Sequence, residues 1–177
     1  MTDKDGGDAF ASLHVGRSDE KLPTLQEYQY KAVAFRYPDE MAALTAFDIF
    51  IGNRDRNRNF IASLVTTNRI FGGIDHGMSL LSVEDEASKS LIRLENGELI
   101  VNNHPFYRLV DGARLIAWAE RIASADPRDI EECCHCTTPI GSVLIGLQLE
   151  LAEALLTRQS RLPDIISSHN RFLIFST

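Results

Sequence analysis

Apolar residues recur at helical spacing after Pro38: Met41, Leu44, then Phe47 or Asp48, then Ile51. Pro38 suits a first helical position, and Asp39 and Glu40 fill the first turn, where the helix dipole favours acids. Gly52 and Asn53 supply a C-terminal stop. Upstream, 9–37 has no clear period and is punctuated by Leu22-Pro23 and Tyr37-Pro38, since a residue before proline avoids the helical region. Downstream, Arg54, Asp55, Arg56, Asn57, Arg58 and Asn59 form a loop by composition. Two short strands are predicted over 60–65 and 69–74, turning at Thr66, Thr67 and Asn68. A further hairpin is predicted over 91–94 and 98–101, where Asn96-Gly97 offers the positive φ angles of a tight turn.

The remainder reads as helix. Asp111 can cap a helix running through Leu115, Ile116, Trp118, Ala119 and Ile122, and Asp126-Pro127 opens another. Thr138-Pro139 opens the longest, with Leu144, Leu147, Leu151 and Leu155 as its apolar stripe. The predicted fold class is α+β and mainly α-helical, with short β-hairpins. Residues 1–8 are expected as a disordered tail and 9–177 as one domain.

Composition narrows the field of functions. The 177 residues are 44% hydrophobic and 24% charged, enough for one core and ordinary for a soluble domain. The longest apolar run, 139–156, is interrupted by Gln148, Glu150 and Glu153, so no membrane span is expected. The polar, acidic start is no signal peptide, which makes the cytoplasm the expected location. A net charge of −7 argues against nucleic acid as a direct partner. It leaves room for a nucleotide, because Mg²⁺ bridges carboxylates to phosphates.

Phosphoryl transfer needs a carboxylate that orients the attacking hydroxyl, and oxygen ligands that hold Mg²⁺ against the phosphates. The sequence offers such groups in a telling order. Ile51-Gly52-Asn53-Arg54-Asp55-Arg56-Asn57-Arg58-Asn59 closes the first helix, the predicted strands follow, and Ile74-Asp75-His76-Gly77 ends the second strand. The pair of motifs is similar to that of HipA-like kinases, and more distantly to the catalytic and metal-binding loops of phosphatidylinositol 3- and 4-kinases. The resemblance covers most of the chain. Phe10-Ala11-Ser12 resembles the segment after the hinge, and Leu155 to Arg158 with Leu162-Pro163 resembles the final helices.

This resemblance implies a protein-kinase-like C-terminal lobe with Asp55 as the catalytic carboxylate and Asn59 and Asp75 as metal ligands. Arg56, His76 and Gly77 would serve the cofactor site, and the cofactors would be Mg²⁺ and ATP. It further implies a protein substrate and a toxin–antitoxin or phage-related setting. Two departures stand out. In the family pattern the metal-binding Asn stands five residues after the catalytic Asp, whereas Asn59 stands four after Asp55. Before the loop, Lys4, Lys21 and Lys31 do not follow a Gly-rich turn, so an N-terminal lobe is not recognisable. Activity is therefore expected to need a separate N-lobe or antitoxin-like partner; the alternative is a pseudokinase acting as a binding or regulatory module.

Other residues carry blander expectations. Arg54 and Arg58 are expected as surface arginines paired with acids such as Asp48, Glu84 or Asp85. Cys133, Cys134, His135 and Cys136 suggest zinc, but only positions three or four apart share a helix face, so buried thiols are the better expectation. His104 reads as a loop residue before a helix, and Trp118 as core. Tyr28, Tyr30, Phe35 and Tyr37 either form an exposed docking patch or pack over the core.

Overall fold

The computed structural model of the chain describes residues 25–65, 67, 69–99, 104–135 and 144–169. A single 3-10 turn, Glu27–Gln29, leads into α1, Tyr30–Arg36, and α2, Pro38–Ile51. Strands β1, Phe60–Ala62, and β2, Phe71–Gly73, follow. After a second 3-10 turn at Leu80–Ser82 come α3, Ala87–Glu95, α4, Gly112–Ala123, α5, Pro127–Cys134, and α6, Ile145–Ser168. The described residues are thus mainly helical, with one small antiparallel sheet in which Phe60 faces Gly73 and Ala62 faces Phe71. None of their helices is long and apolar enough to cross a membrane.

Local signals set most boundaries. Pro38 begins α2, and Gly52, at φ 70°, ends it. The Asp111 carboxylate accepts the Arg114 backbone N–H at 2.9 Å, and Asp126 accepts that of Arg128 at 3.0 Å, capping α4 and α5. The expected stripe on α6 holds at Leu151 and Leu155, which are buried, whereas Leu144 is exposed at its N-cap.

The structure corrects two expectations. Residues 91–94 belong to α3 rather than to a strand, and Asn96 is its C-cap. Gly97 does take a positive φ, 68°, but the bend ends a helix instead of joining two strands. Within 9–37, α1 forms where no period was recognised; its signal is Tyr30, Val33 and Tyr37, all buried at helical spacing. Tyr30 and Tyr37 therefore pack inward, while Tyr28 and Phe35 are exposed. The expected tail, the segment around Phe10, the opening of α6 at Thr138 and most of the 66–68 turn lie outside the described residues.

Helix α2 separates two apolar clusters. On one side Ala46, Ile49 and Phe50 meet Leu94 of α3, Leu115 of α4 and Leu155 and Leu162 of α6. On the other, Met41 joins Tyr30, Val33, Tyr37, Phe60 and Phe106. The C-terminal end of α2 is thereby packed against α3, α4 and α6, and the loop that leaves it starts from a fixed point. Arg158 of α6 reinforces this end: buried completely, it donates to the carbonyls of Ile49 (2.8 Å), Leu94 (3.1 Å) and Glu98 (2.8 Å).

Candidate functional site

Asp48 lies in the last turn of α2, and its carboxylate is buried. Arg56 grips it bidentately, with Nε to Oδ2 at 2.7 Å and Nη2 to Oδ1 at 2.8 Å. Asn53 donates to Oδ1 at 2.9 Å, and His104 Nε2 lies 3.1 Å from Oδ2. Burial alone would raise the Asp48 pKa, but the hydrogen bonds from Arg56 and His104 and the Arg56 charge bring it down to about 2. Asp48 is therefore a fixed anion at the base of the loop.

The groups it holds reach the candidate residues. Asn53 Oδ1 accepts the backbone N–H of Asp55 at 3.0 Å. Arg56 Nη1 donates to the Ile74 carbonyl at 2.7 Å and also to the Asn59 carbonyl. Ile74 N–H donates to Asn59 O at 2.9 Å, continuing the β1–β2 pairing by one step. Asn59 in turn donates from Nδ2 to the Asp55 carbonyl at 2.8 Å and lies 3.3 Å from its Oδ2. The fold thus brings Asp55, Asn59 and the residue preceding Asp75 to one end of the sheet.

Asp75 has φ 51°, a left-handed conformation that Asp adopts more readily than most residues. Its Oδ1 accepts the Gly77 N–H at 3.1 Å, the local turn that Asp side chains favour. A Cβ at Gly77 would sit 3.2 Å from that oxygen. His76 packs its ring edge-on against Phe47 at 5.8 Å, and burial and the Arg56 charge lower its pKa. His76 and Gly77 also line an apolar cleft of about 630 Å³ between α2, α5 and α6, together with Leu80, Ile130 and Leu151.

Among the described residues no three His, Cys, Asp or Glu side chains cluster as a metal site. The oxygen atoms available are those of Asp55, Asn59 and Asp75. Asn59 uses Nδ2 on Asp55, so its amide oxygen is the atom suited to a cation. Carboxylate and amide oxygens are donors of the class Mg²⁺ takes, an ion usually held by one or two carboxylates and completed by water and phosphate.

Several expected roles change. Arg56 does not face outward for a phosphate: its side chain is fully buried, and Nε, Nη1 and Nη2 all bind protein oxygens. Asp48 pairs with Arg56 in the interior rather than with surface arginines, and Glu84 pairs with Arg93. Cys133 is exposed, not buried, Cys134 is half-buried, and Cys136 lies outside the described residues. Trp118 packs against the larger cluster with Arg121 over its ring at 4.7 Å. The roles of Asp48, Asn53 and His104 escaped the sequence reading; only the acid at a buried helical position hinted at the first.

Comparison with protein-family models, with curated proteins and with solved structures finds no match to this chain.

Proposed function

We propose that the chain is a kinase-like phosphotransferase lobe, similar to those of HipA-like kinases, that acts on a protein hydroxyl when a separate partner completes its ATP site. One observation carries this: the two loops that flank the β1–β2 hairpin bring Asp55, Asn59 and the residue preceding Asp75 to the same end of the sheet, braced by one buried arginine. Phosphoryl transfer asks for such an arrangement, a carboxylate beside oxygen ligands on a rigid support.

In this proposal Asp55 accepts a hydrogen bond from the attacking hydroxyl and orients it, while the Asn59 and Asp75 oxygens hold Mg²⁺. The ion, when bound, would neutralise phosphate charge. Arg56 takes no part in nucleotide contact and instead fixes the loops. Although Asn59 stands four residues after Asp55 and not five, its side chain folds back on Asp55, which keeps the two groups adjacent in the shortened loop.

A second reading, a regulatory binding module without catalysis, draws on the apolar cleft beside His76, whose volume and lining suit a bound apolar group. Titration calorimetry with Mg²⁺ and ATP, comparing wild type with Asp75→Ala, separates the two. Heat that disappears in the variant supports the kinase reading, and wild-type protein that stays silent even with its partner present favours the binding module.

A further inference from the structure

The geometry points to His104 as a positioning residue for the paired loops, acting through Asp48 without touching the reacting atoms. The inference rests on the kinase reading for its consequence but not for its geometry. His104 comes from a segment 56 residues away from Asp48, and its side chain is 2% exposed.

The tautomer follows from its two neighbours. Phe106 donates its backbone N–H to His104 Nδ1 at 3.2 Å, so Nδ1 is the acceptor. The ring proton therefore sits on Nε2 and is donated to Asp48 Oδ2. Protonating Nδ1 as well would set two donors against each other. Burial also lowers the His104 pKa, which keeps the ring neutral. Stacking on Tyr107, at 4.4 Å and 15°, fixes the plane from which Nε2 points.

The groups facing His104 are few. Asp48 and the Arg56 charge lie on its inner side, with the Tyr107 ring against its face. Glu27 and Tyr30 stand across a polar cavity that His104 lines with Asn57 and Pro105. Arg56 and His104 share Oδ2 of Asp48, and Arg56 and Asn53 share Oδ1. Arg56 spans both Asp48 oxygens and Asn53 holds one, but both of these donors sit in the loop that Asp48 positions and move with it. His104 is the donor that belongs to neither loop, so it anchors the carboxylate to the body of the domain. Through Asn53 that anchor sets the Asp55 backbone, and through Arg56 it sets the Asn59 and Ile74 carbonyls.

Two variants of the full chain test this: His104→Leu removes the donor, and His104→Gln keeps an N–H at a similar reach. The first readout is hydrogen exchange of the Asp55 and Ile74 amides, which donate to Asn53 Oδ1 and Asn59 O. The second is affinity for Mn²⁺ with ATP, with Asp75→Ala as reference. His104→Leu is expected to speed exchange at both amides about tenfold while the Ala119 amide in α4 stays unchanged. It is expected to weaken Mn²⁺–ATP binding about tenfold, with His104→Gln recovering most of both effects. Unchanged exchange at Asp55 and Ile74 in His104→Leu would overturn the assignment, as would equal acceleration at Ala119. Faster exchange at the two amides in a protein that binds no Mn²⁺–ATP even with its partner present would uphold the positioning and sink the kinase reading.

Discussion

Arg56 and Arg158 are both completely buried, yet they are neutralised in different ways. Arg56 meets the Asp48 carboxylate and spends its remaining donors on two loop carbonyls. Among the described residues Arg158 finds no carboxylate; its partners are the carbonyls of Ile49, Leu94 and Glu98. Two of those carbonyls lie at the C-terminal ends of α2 and α3, where unpaired backbone oxygens carry partial negative charge. Burial lowers the Arg158 pKa to about 10, which still leaves it charged at neutral pH. The difference separates two jobs. Arg158 ties helices together and belongs to the scaffold, whereas Arg56 ties loops to the scaffold and belongs to the site.

Replacing Arg158 breaks the comparison most severely. Arg158→Met takes the side-chain donors from the carbonyls of Ile49, Leu94 and Glu98, of which Leu94 keeps the Gly97 N–H, and is expected to destabilise the fold by about 4 kcal/mol, read from urea unfolding. Arg158→Lys should recover less than half of this, because one ammonium cannot span the three oxygens that the planar fork reaches. No change at a single partner side chain can compensate, since the partners are backbone.

Arg56 behaves differently because its partner is a side chain. Asp48→Asn strands a buried guanidinium and is expected to cost about 3 kcal/mol in the same assay. Adding Arg56→Met removes the stranded charge, so the double variant should be more stable than the sum of the two single losses by about 1–3 kcal/mol. Additive losses would mean that the pair does not act as a unit.

Much of this scaffold was legible in the sequence, because it is written locally. Pro38, Gly52, Asp111 and Asp126 mark helix ends by effects confined to one turn, and β1 and β2 follow from neighbouring apolar runs. Asn96-Gly97 misled for a related reason: a positive φ at Gly97 serves a hairpin and a helix end equally well. The better clue was Leu91 and Leu94, three apart and both buried. The buried partners were beyond reach. His104 is 56 residues from Asp48, and Arg158 is 109 from Ile49, separations that no periodicity records. Arg56 looked outward in the sequence because its neighbours Asp55, Asn57 and Arg58 are polar, while the structure turns it inward beneath them.

Acid should separate the two arginines further. A carboxylate held near pKa 2 when folded, against 3.8 as its ordinary value, stabilises the fold above about pH 4 and loses that contribution as pH falls toward 2. The expected loss is about 2 kcal/mol, followed by urea unfolding across that range, and Asp48→Asn should flatten it. His104 adds a separate limb with the same sign. Its folded pKa is lowered, so the unfolded chain takes up the proton first, and stability declines as pH drops below the ordinary histidine value of 6.5. His104→Gln should remove its own share of this upper limb and leave that of His76, whose pKa is lowered too. Arg158 does not change charge in either range.

The smallest test compares two adjacent glycines. A Cβ at Gly73 would lie 2.8 Å from Leu44 Cδ1 and 3.1 Å from Arg56 Nη1, so the guanidinium passes this position only because no side chain is there. A Cβ at Gly72 would meet nothing nearer than Ile61 Cγ1 at 4.0 Å. Gly73→Ala is expected to destabilise the fold by about 1–2 kcal/mol through overpacking, and Gly72→Ala to stay within about 0.5 kcal/mol of wild type. The functional contrast should be sharper than the energetic one. Displaced from Gly73, Arg56 loses its line to the Ile74 carbonyl while its grip on Asp48 lies on the other edge of the guanidinium. Mn²⁺–ATP affinity should therefore fall in Gly73→Ala and hold in Gly72→Ala. Equal affinity in the two variants would place Arg56 with Arg158, as a brace of the scaffold that the site does not depend on.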